Sequence, residues 1–154
     1  ILTDRLKPGG LMHIGLYSEI ARRNIVKARK LIYKRGFSNT QPDIIKFRKE
    51  IIDSNDDTLS TIKAFSDFYS TSELRDLLFH VQEHHFTLPK IQNDLEILGL
   101  TFAGFEYLET HVTSEFMQNY PDPDSLYSLE SWHDFERQNP NTFKGMYQFW
   151  VQKS

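Results

Sequence analysis

The stretch of sequence that decides the fold is RLKPGGLMHIGLYS, residues 5–18. Pro8-Gly9-Gly10 predicts a turn, because proline presets its backbone angle and glycine accepts the left-handed conformation. The apolar run from Leu11 to Tyr17 has the length of a strand. Because it does not alternate cleanly between polar and apolar residues, we expect this strand to be buried on both faces. Almost nothing precedes it in the chain, which raises the question of what the strand packs against.

Composition and charge limit the class of protein. The 154 residues are 39% hydrophobic and 25% charged, ordinary values for one globular core, so we expect a single domain over residues 1–154. The absence of cysteine excludes disulfides, thiolate metal sites and cysteine nucleophiles. The net charge of −3 and the lack of a long apolar run or a signal segment favour a cytoplasmic protein without nucleic-acid or membrane partners.

Helical periodicity dominates the middle of the chain. Ser18 stands where an N-cap would, apolar residues recur at helical spacing over 19–35, and Gly36 is expected to end that helix. Further helices are expected to begin near Pro42, Asp56, Thr71 and Leu88. Two short helices are expected at 113–120 and 126–138. The segment of about 36–87 is therefore interpreted as a large helical insertion.

Two more strands are predicted after this insertion. Residues 100–107 alternate and are rich in aromatics, and residues 145–152 carry bulky side chains with a period of two. Together with the first strand, at 11–17, they give about three strands. The sequence therefore predicts an α/β fold, on the border of α+β, with three strands in a mixed sheet.

Three stretches resemble one protein family. LKPGG (6–10), followed by an apolar strand, resembles the turn before the fifth strand of class I S-adenosylmethionine-dependent methyltransferases. RDLLFHVQEHHFTLPKIQNDLEILGLTFAGFE (75–106) and WHDFERQNPNTFKGMYQFWVQK (132–153) are similar to the C-terminal region of a bacterial subgroup in which the methyltransferase often follows tetratricopeptide repeats. The resemblance implies a partial Rossmann-like sheet whose last strand lies between the other two and antiparallel to them.

The resemblance also implies what is missing. The family holds S-adenosylmethionine with a glycine-rich loop after the first strand and an acidic residue at the end of the second, and neither has a counterpart here. Gly9-Gly10 precedes a strand, whereas a nucleotide loop follows a strand and opens a helix. We therefore expect the C-terminal, substrate-side portion of such an enzyme, inactive alone. The N-terminal half would be absent and no cofactor would bind this chain, although S-adenosylmethionine is expected for the full-length family.

A missing half has a consequence for association. The strand at 11–17 would lie at an edge of the sheet that the missing half covers in the family. An apolar edge strand is a template for pairing with another strand. We therefore expect a homo-oligomer that forms through residues 11–17.

His80-Val81-Gln82-Glu83-His84 matches the zinc pattern H-x-x-E-H. On a helix this spacing places His80 and His84 one turn apart, as zinc ligation beside a general base requires. One interpretation is a zinc-dependent hydrolase with a third ligand among Glu106, Glu109, Glu130 and Glu136. A second is that the histidines solvate a helix end. A third is a methyltransferase pocket with His80, Glu83 and His84 as catalytic residues and with Arg75 and Asp76 as substrate-binding residues.

Tyr17 and Arg22 are the remaining candidate substrate-binding residues. Tyr17 ends the first strand, where this fold faces its substrate, and Arg22 follows about one turn later, where it can meet an anionic group. The alternative is a helix that shows its charged face to solvent. The basic residues of 22–35 lack interleaved aromatics apart from Tyr33, which argues against nucleic acid. A stand-alone helical binding module is the other function that stays open.

Overall fold

The structure is a computed structural model that describes residues 2–79, 82–106 and 108–154. The chain forms two compact units, one of Ile1–Ala21 with His84–Ser154 and one of Arg22–Glu83. The first, the sheet unit, contains all the described strands, and the second, the helical unit, contains none. The expected single domain over 1–154 stays a prediction. The helical unit begins at Arg22, well before the predicted insertion of about 36–87.

The secondary structure follows the predicted order with local differences. The helices are α1 (Leu2–Arg5), α2 (Glu19–Lys34), α3 (Gln41–Asp53), α4 (Asp57–Ser60), α5 (Thr71–Phe79), α6 (Leu88–Ile97), α7 (Thr110–Asn119) and α8 (Leu129–Gln138). Short 3₁₀ segments cover Thr61–Ala64, Ser66–Tyr69 and Pro123–Tyr127. The strands are β1 (Leu11–Ser18), β2 (His85–Phe86), β3 (Leu100–Phe105) and β4 (Tyr147–Lys153). The helix predicted from Asp56 is only one turn, because two 3₁₀ segments replace its continuation.

The turn before β1 fixes where that strand starts. The Gly10 N–H donates to the Lys7 carbonyl at 2.8 Å and Gly9 has φ 73°, as in a type II turn with proline second and glycine third. The Gly9 N–H donates to the Lys153 carbonyl, and the Lys153 N–H donates to the Gly10 carbonyl, both at 2.9 Å. Two residues therefore oppose one, which is a β-bulge at the first rung of the ladder between β1 and β4.

The strands form one mixed sheet in the order β2-β1-β4-β3. β4 is antiparallel to both β1 and β3, which confirms the expected position of the last strand between the other two. β2 pairs in parallel with the end of β1, Tyr17 with His85 and Ser18 with Phe86. The prediction of three strands is therefore wrong, because it missed β2. A strand of two residues has too little periodicity to be recognised.

One face of the sheet is covered by helices and the other is exposed. Helices α6, α7 and α8 enclose a core with the covered face, and its largest members are Phe116, Trp132, Phe135, Tyr147 and Phe149. Along β1, Leu11, His13 and Gly15 are exposed while the residues between them are half-buried. The prediction that β1 is buried on both faces is wrong. Leucine and glycine on its exposed face hide the alternation that a polarity pattern would have shown.

The helical unit has a core of its own. It is built mainly from α2, α3 and α5, with Ile25, Ala28, Ile44, Phe47, Ile51, Leu74 and Leu78 almost fully buried. Gly36, with φ 71°, ends α2 as predicted, and the Phe37 N–H donates to the Ile32 carbonyl at 3.1 Å, as in a Schellman motif. Among the described residues, no helix is long and apolar enough to span a membrane.

Candidate functional site

The parallel strands β1 and β3 end on the same side of the sheet, the side at which α/β proteins bind ligands. Three polar side chains meet there: Ser18 at the end of β1, Glu136 on α8 and Tyr147 at the start of β4. Their residues are 1%, 0% and 0% exposed. We refer to these three residues as the carboxylate cluster.

Glu136 is the common acceptor of the carboxylate cluster. The Ser18 hydroxyl donates to its Oε1, and the Tyr147 hydroxyl donates to its Oε2 at 2.7 Å. Ser18 also accepts the Ala21 N–H at 3.0 Å, which confirms Ser18 as the N-cap of α2. A buried carboxylate without donors would be costly, so these bonds tie the end of β1, the start of β4 and α8 to one point.

Tyr147 stays a donor because its ionisation is suppressed. Burial raises the pKa of Tyr147 well above its usual value, and the nearby charge of Glu136 raises that pKa further. The hydroxyl is therefore neutral at physiological pH. The cluster is closed to solvent and joins the end of β1 and the start of β4 to α8.

The sequence contains a signal for this cluster that spacing motifs do not capture. Leu129, Trp132 and Phe135 form the buried stripe of α8, and Glu136 lies on the same side of the helix, one residue beyond Phe135. A carboxylate beside an apolar stripe indicates a buried acceptor that needs donors from elsewhere. The zinc pattern gave Glu136 a role only as a candidate third ligand.

The zinc pattern does not lie on a helix where the structure describes it. His80 and Val81 lie outside the described residues, α5 ends at Phe79, and residues 82–84 are irregular. The helical context that the pattern requires is therefore wrong for Glu83 and His84. Within residues 2–79, 82–106 and 108–154, no group of three or more histidine or carboxylate side chains is placed to hold a metal ion.

Glu83 is a counter-ion in the helical unit. Its Oε2 lies 2.7 Å from Arg29 Nη1 and its Oε1 lies 3.7 Å from Arg22 Nε, with 8% of its side chain exposed. Arg29 also donates to the Leu77 carbonyl from Nε at 3.2 Å and from Nη2 at 2.8 Å. Both carboxylate oxygens therefore face arginines, which suits a structural role better than proton transfer.

The other predicted site residues are scattered. Arg22 is 7% exposed and its guanidinium lies 5.9 Å from the centre of the Phe65 ring, so the solvent-facing interpretation of Arg22 is wrong. Arg75 and Asp76 are exposed on α5, and His84 is exposed just before β2. Tyr17 is half-buried and pairs with His85 in the sheet. Two of the predicted site residues that the structure describes, Arg22 and Glu83, form an ion pair with each other.

A second polar pair lies on the exposed face of the sheet. His13 Nε2 lies 2.5 Å from Glu106 Oε2, and their side chains are 38% and 32% exposed. The imidazole also lies 5.0 Å from the ring of Trp150, its partner across the ladder. Periodicity alone does not give strand register, so the sequence could not bring these residues together.

Comparison with known proteins does not assign a family to the chain. No protein-family model matches it, and no curated protein matches it. The function must therefore be inferred from the fold and its side chains.

Proposed function

We propose that this chain is the C-terminal, substrate-side portion of a class I S-adenosylmethionine-dependent methyltransferase. The observation that carries the proposal is the strand order, with β4 between β1 and β3 and antiparallel to both. The resemblance of residues 6–10, 75–106 and 132–153 implies this order. β4 is the last strand in the chain, but it lies between the two earlier strands β1 and β3. Consecutive hairpins do not produce this order, so it is a specific feature of the topology.

The turn and the carboxylate cluster support the same assignment. The type II turn at Lys7–Gly10 leads directly into β1, as the LKPGG motif of the family does. At the other end of β1, the cluster holds Ser18, and Tyr17 lies next to it, at the end of the strand where α/β proteins in general bind ligands. Within this proposal, Tyr17 and the exposed His84 are the substrate-facing candidates of the sheet unit. Glu83 is not proposed as a catalytic residue, because its carboxylate is held in ion pairs with arginines.

The glycine pair Gly9-Gly10 is placed as a turn and not as a nucleotide loop. Gly9 and Gly10 precede β1, and a Cβ at Gly10 would lie 2.8 Å from the Lys7 carbonyl oxygen. The tight turn therefore explains Gly10, with no need for a phosphate or nucleoside beside it. The proposal assigns the cofactor to other residues of the protein that contains this chain.

Calorimetry on two proteins tests the proposal. The protein encoded by the complete gene is expected to contain a glycine-rich strand–loop–helix before residue 1 and to bind S-adenosylmethionine. The 154-residue chain is expected not to bind it. A complete gene without that loop would contradict the proposal, as would binding of S-adenosylmethionine by the 154-residue chain alone.

A further inference from the structure

A cleft lies between α6, the first residues of β3 and the segment that leads from Tyr127 into α8. Its volume is about 340 Å³, at the small end of the range for ligand pockets. All of its lining residues belong to the sheet unit. We refer to it as the β3 cleft, and it is a feature of one compact unit.

The β3 cleft is separate from the carboxylate cluster. It contacts β3 at Leu100–Phe102, where the strand begins, whereas the cluster lies where β1 ends and β4 begins. The half of the enzyme that the proposed function adds would join the sheet beside β1, and β4 separates β1 from β3. The cleft therefore offers a second place for a ligand.

The base of the β3 cleft is apolar. Leu95, Leu100 and Leu129 line it and are 5%, 6% and 5% exposed. The half-buried ring of Phe102 adds to this lining. Such a base favours the hydrocarbon part of a ligand, because water is displaced from apolar surface.

Two carboxylates stand above this base. Glu96 comes from α6 and Glu130 from α8, and both are exposed. Glu96 Oε1 accepts a hydrogen bond of 3.4 Å from Gln92 Nε2. In the part of the chain that the structure describes, neither carboxylate has an ion-pair partner. Both negative charges are therefore available to a ligand.

The surroundings of the β3 cleft strengthen this negative charge. The segments 92–102 and 122–130 contain five acidic residues and neither lysine nor arginine. The sheet unit as a whole has 12 acidic and six basic residues, whereas the helical unit has nine acidic and 12 basic residues. The cleft therefore attracts cations and repels carboxylates and phosphates.

Tyr127 supplies an aromatic ring beside the carboxylates. It lines the cleft and is 61% exposed, and its Cε1 lies 3.8 Å from the position of a Cβ at Gly104. The face of an aromatic ring attracts ammonium and guanidinium groups. The lining therefore combines an apolar base, two carboxylates and an aromatic ring.

We propose that the β3 cleft binds a small organic cation, an aliphatic amine or guanidine. Its hydrocarbon stem lies on the leucine base, and its charged group lies beside Glu96, Glu130 and Tyr127. A neutral apolar ligand would leave the carboxylates unused, and a metal ion would leave the apolar base unused. The small volume favours a free amine over a segment of a partner protein. The inference uses the lining of this cleft and does not rest on the proposed function.

A titration followed by amide NMR shifts of the 154-residue chain tests the ligand class. Hexylamine is the probe, and hexanol is the matched compound with the same stem and no charge. Hexylamine is expected to shift residues 92–102 and 127–130, with a dissociation constant on the order of 1 mM at low salt. Hexanol should bind about fivefold more weakly or worse. Equal affinity for both compounds, or no shifts at these residues, would overturn the proposal.

Variants of the chain test the charged groups. Glu130→Gln and Tyr127→Leu are each expected to weaken hexylamine binding about threefold. Glu115→Gln is the matched control, because it removes the same charge at an exposed position of α7 outside this cleft. A matching loss in Glu115→Gln would reduce the binding to general attraction by an acidic unit and would refute the site.

A third compound distinguishes the two sources of an ammonium group. N-acetyl-lysine amide carries the same charge on a similar stem together with peptide groups. Binding tighter than that of hexylamine would assign the cleft to a lysine of a partner protein and overturn the assignment to a free amine. Weaker or equal binding supports the free amine. The titrations contain no S-adenosylmethionine, so this inference and the proposed function can fail separately.

Discussion

Glu136 in the sheet unit and Glu83 in the helical unit are both buried carboxylates, but different donors satisfy them. Glu136 accepts hydrogen bonds from the hydroxyl groups of Ser18 and Tyr147. Glu83 faces the guanidinium groups of two arginines. A hydroxyl group donates one directional hydrogen bond, whereas an arginine also brings a positive charge and must itself be desolvated. A buried glutamate in a sequence therefore indicates a demand for donors before it indicates catalysis.

The largest effect is expected from Glu136→Ala. The change leaves two buried hydroxyl groups without their acceptor and opens a cavity between α8 and β4, so the free energy of unfolding should fall by about 4 kcal/mol. Both tryptophans, Trp132 and Trp150, lie in the sheet unit, so urea unfolding followed by tryptophan fluorescence reports this loss. Glu130→Ala, at an exposed position of the same helix, should change the value by less than about 0.5 kcal/mol. Equal losses would show that Glu136 is not satisfied as described.

Glu83→Ala is expected to cost somewhat less, about 3 kcal/mol, because it leaves two arginines without their carboxylate. Arg29 keeps its bonds to the Leu77 carbonyl, and its side chain is 19% exposed, so part of its charge stays solvated. Circular dichroism at the helical band, which reports the helices of both units, measures the unfolding. Glu73→Ala, exposed on α5, is the control, and a matching loss there would contradict the counter-ion role of Glu83.

Tyr147→Phe tests the hydroxyl donors of Glu136 through the pH dependence of stability. The pKa of Tyr147 is raised in the folded protein, so its contribution to stability is complete below the unfolded pKa of about 10 and is lost as pH rises above it. Above that pH, unfolding releases the Tyr147 proton, and stability should fall by up to about 1.4 kcal/mol per pH unit. At neutral pH the variant should lose about 1.5 kcal/mol, the cost of one buried hydrogen bond. An equally steep alkaline slope in Tyr147→Phe would contradict the raised pKa.

The smallest effect is expected from Glu106→Gln. The pair of His13 and Glu106 lies on the exposed face, where ion pairs contribute little, so stability should change by less than about 0.5 kcal/mol. Thermal unfolding at neutral pH measures the difference from the unchanged chain. A loss comparable to that of Glu83→Ala would show that this face is covered in solution.

The sequence predicted the elements that depend on local signals. Gly36 ended α2, Ser18 capped it, and the position of β4 followed from the resemblance. The predictions from sequence were wrong or missing for features that depend on residues far apart in the chain. The exposed face of β1 depends on which strands have helices above them, and the partners of Glu136 come from β1 and β4. The zinc pattern failed for a local reason as well, since α5 ends at Phe79 and leaves Glu83 and His84 outside a helix.

The bulge at Gly9 and Gly10 determines the direction of every later side chain of β1. One inserted residue between Gly10 and Leu11 would exchange the two faces of the strand, turning Met12 and Ile14 to water and His13 towards the helices. Substitutions at the exposed positions leave that alternation intact. Homologous chains should therefore vary in the amino acids of this strand while keeping the number of residues between the turn and Ser18 constant.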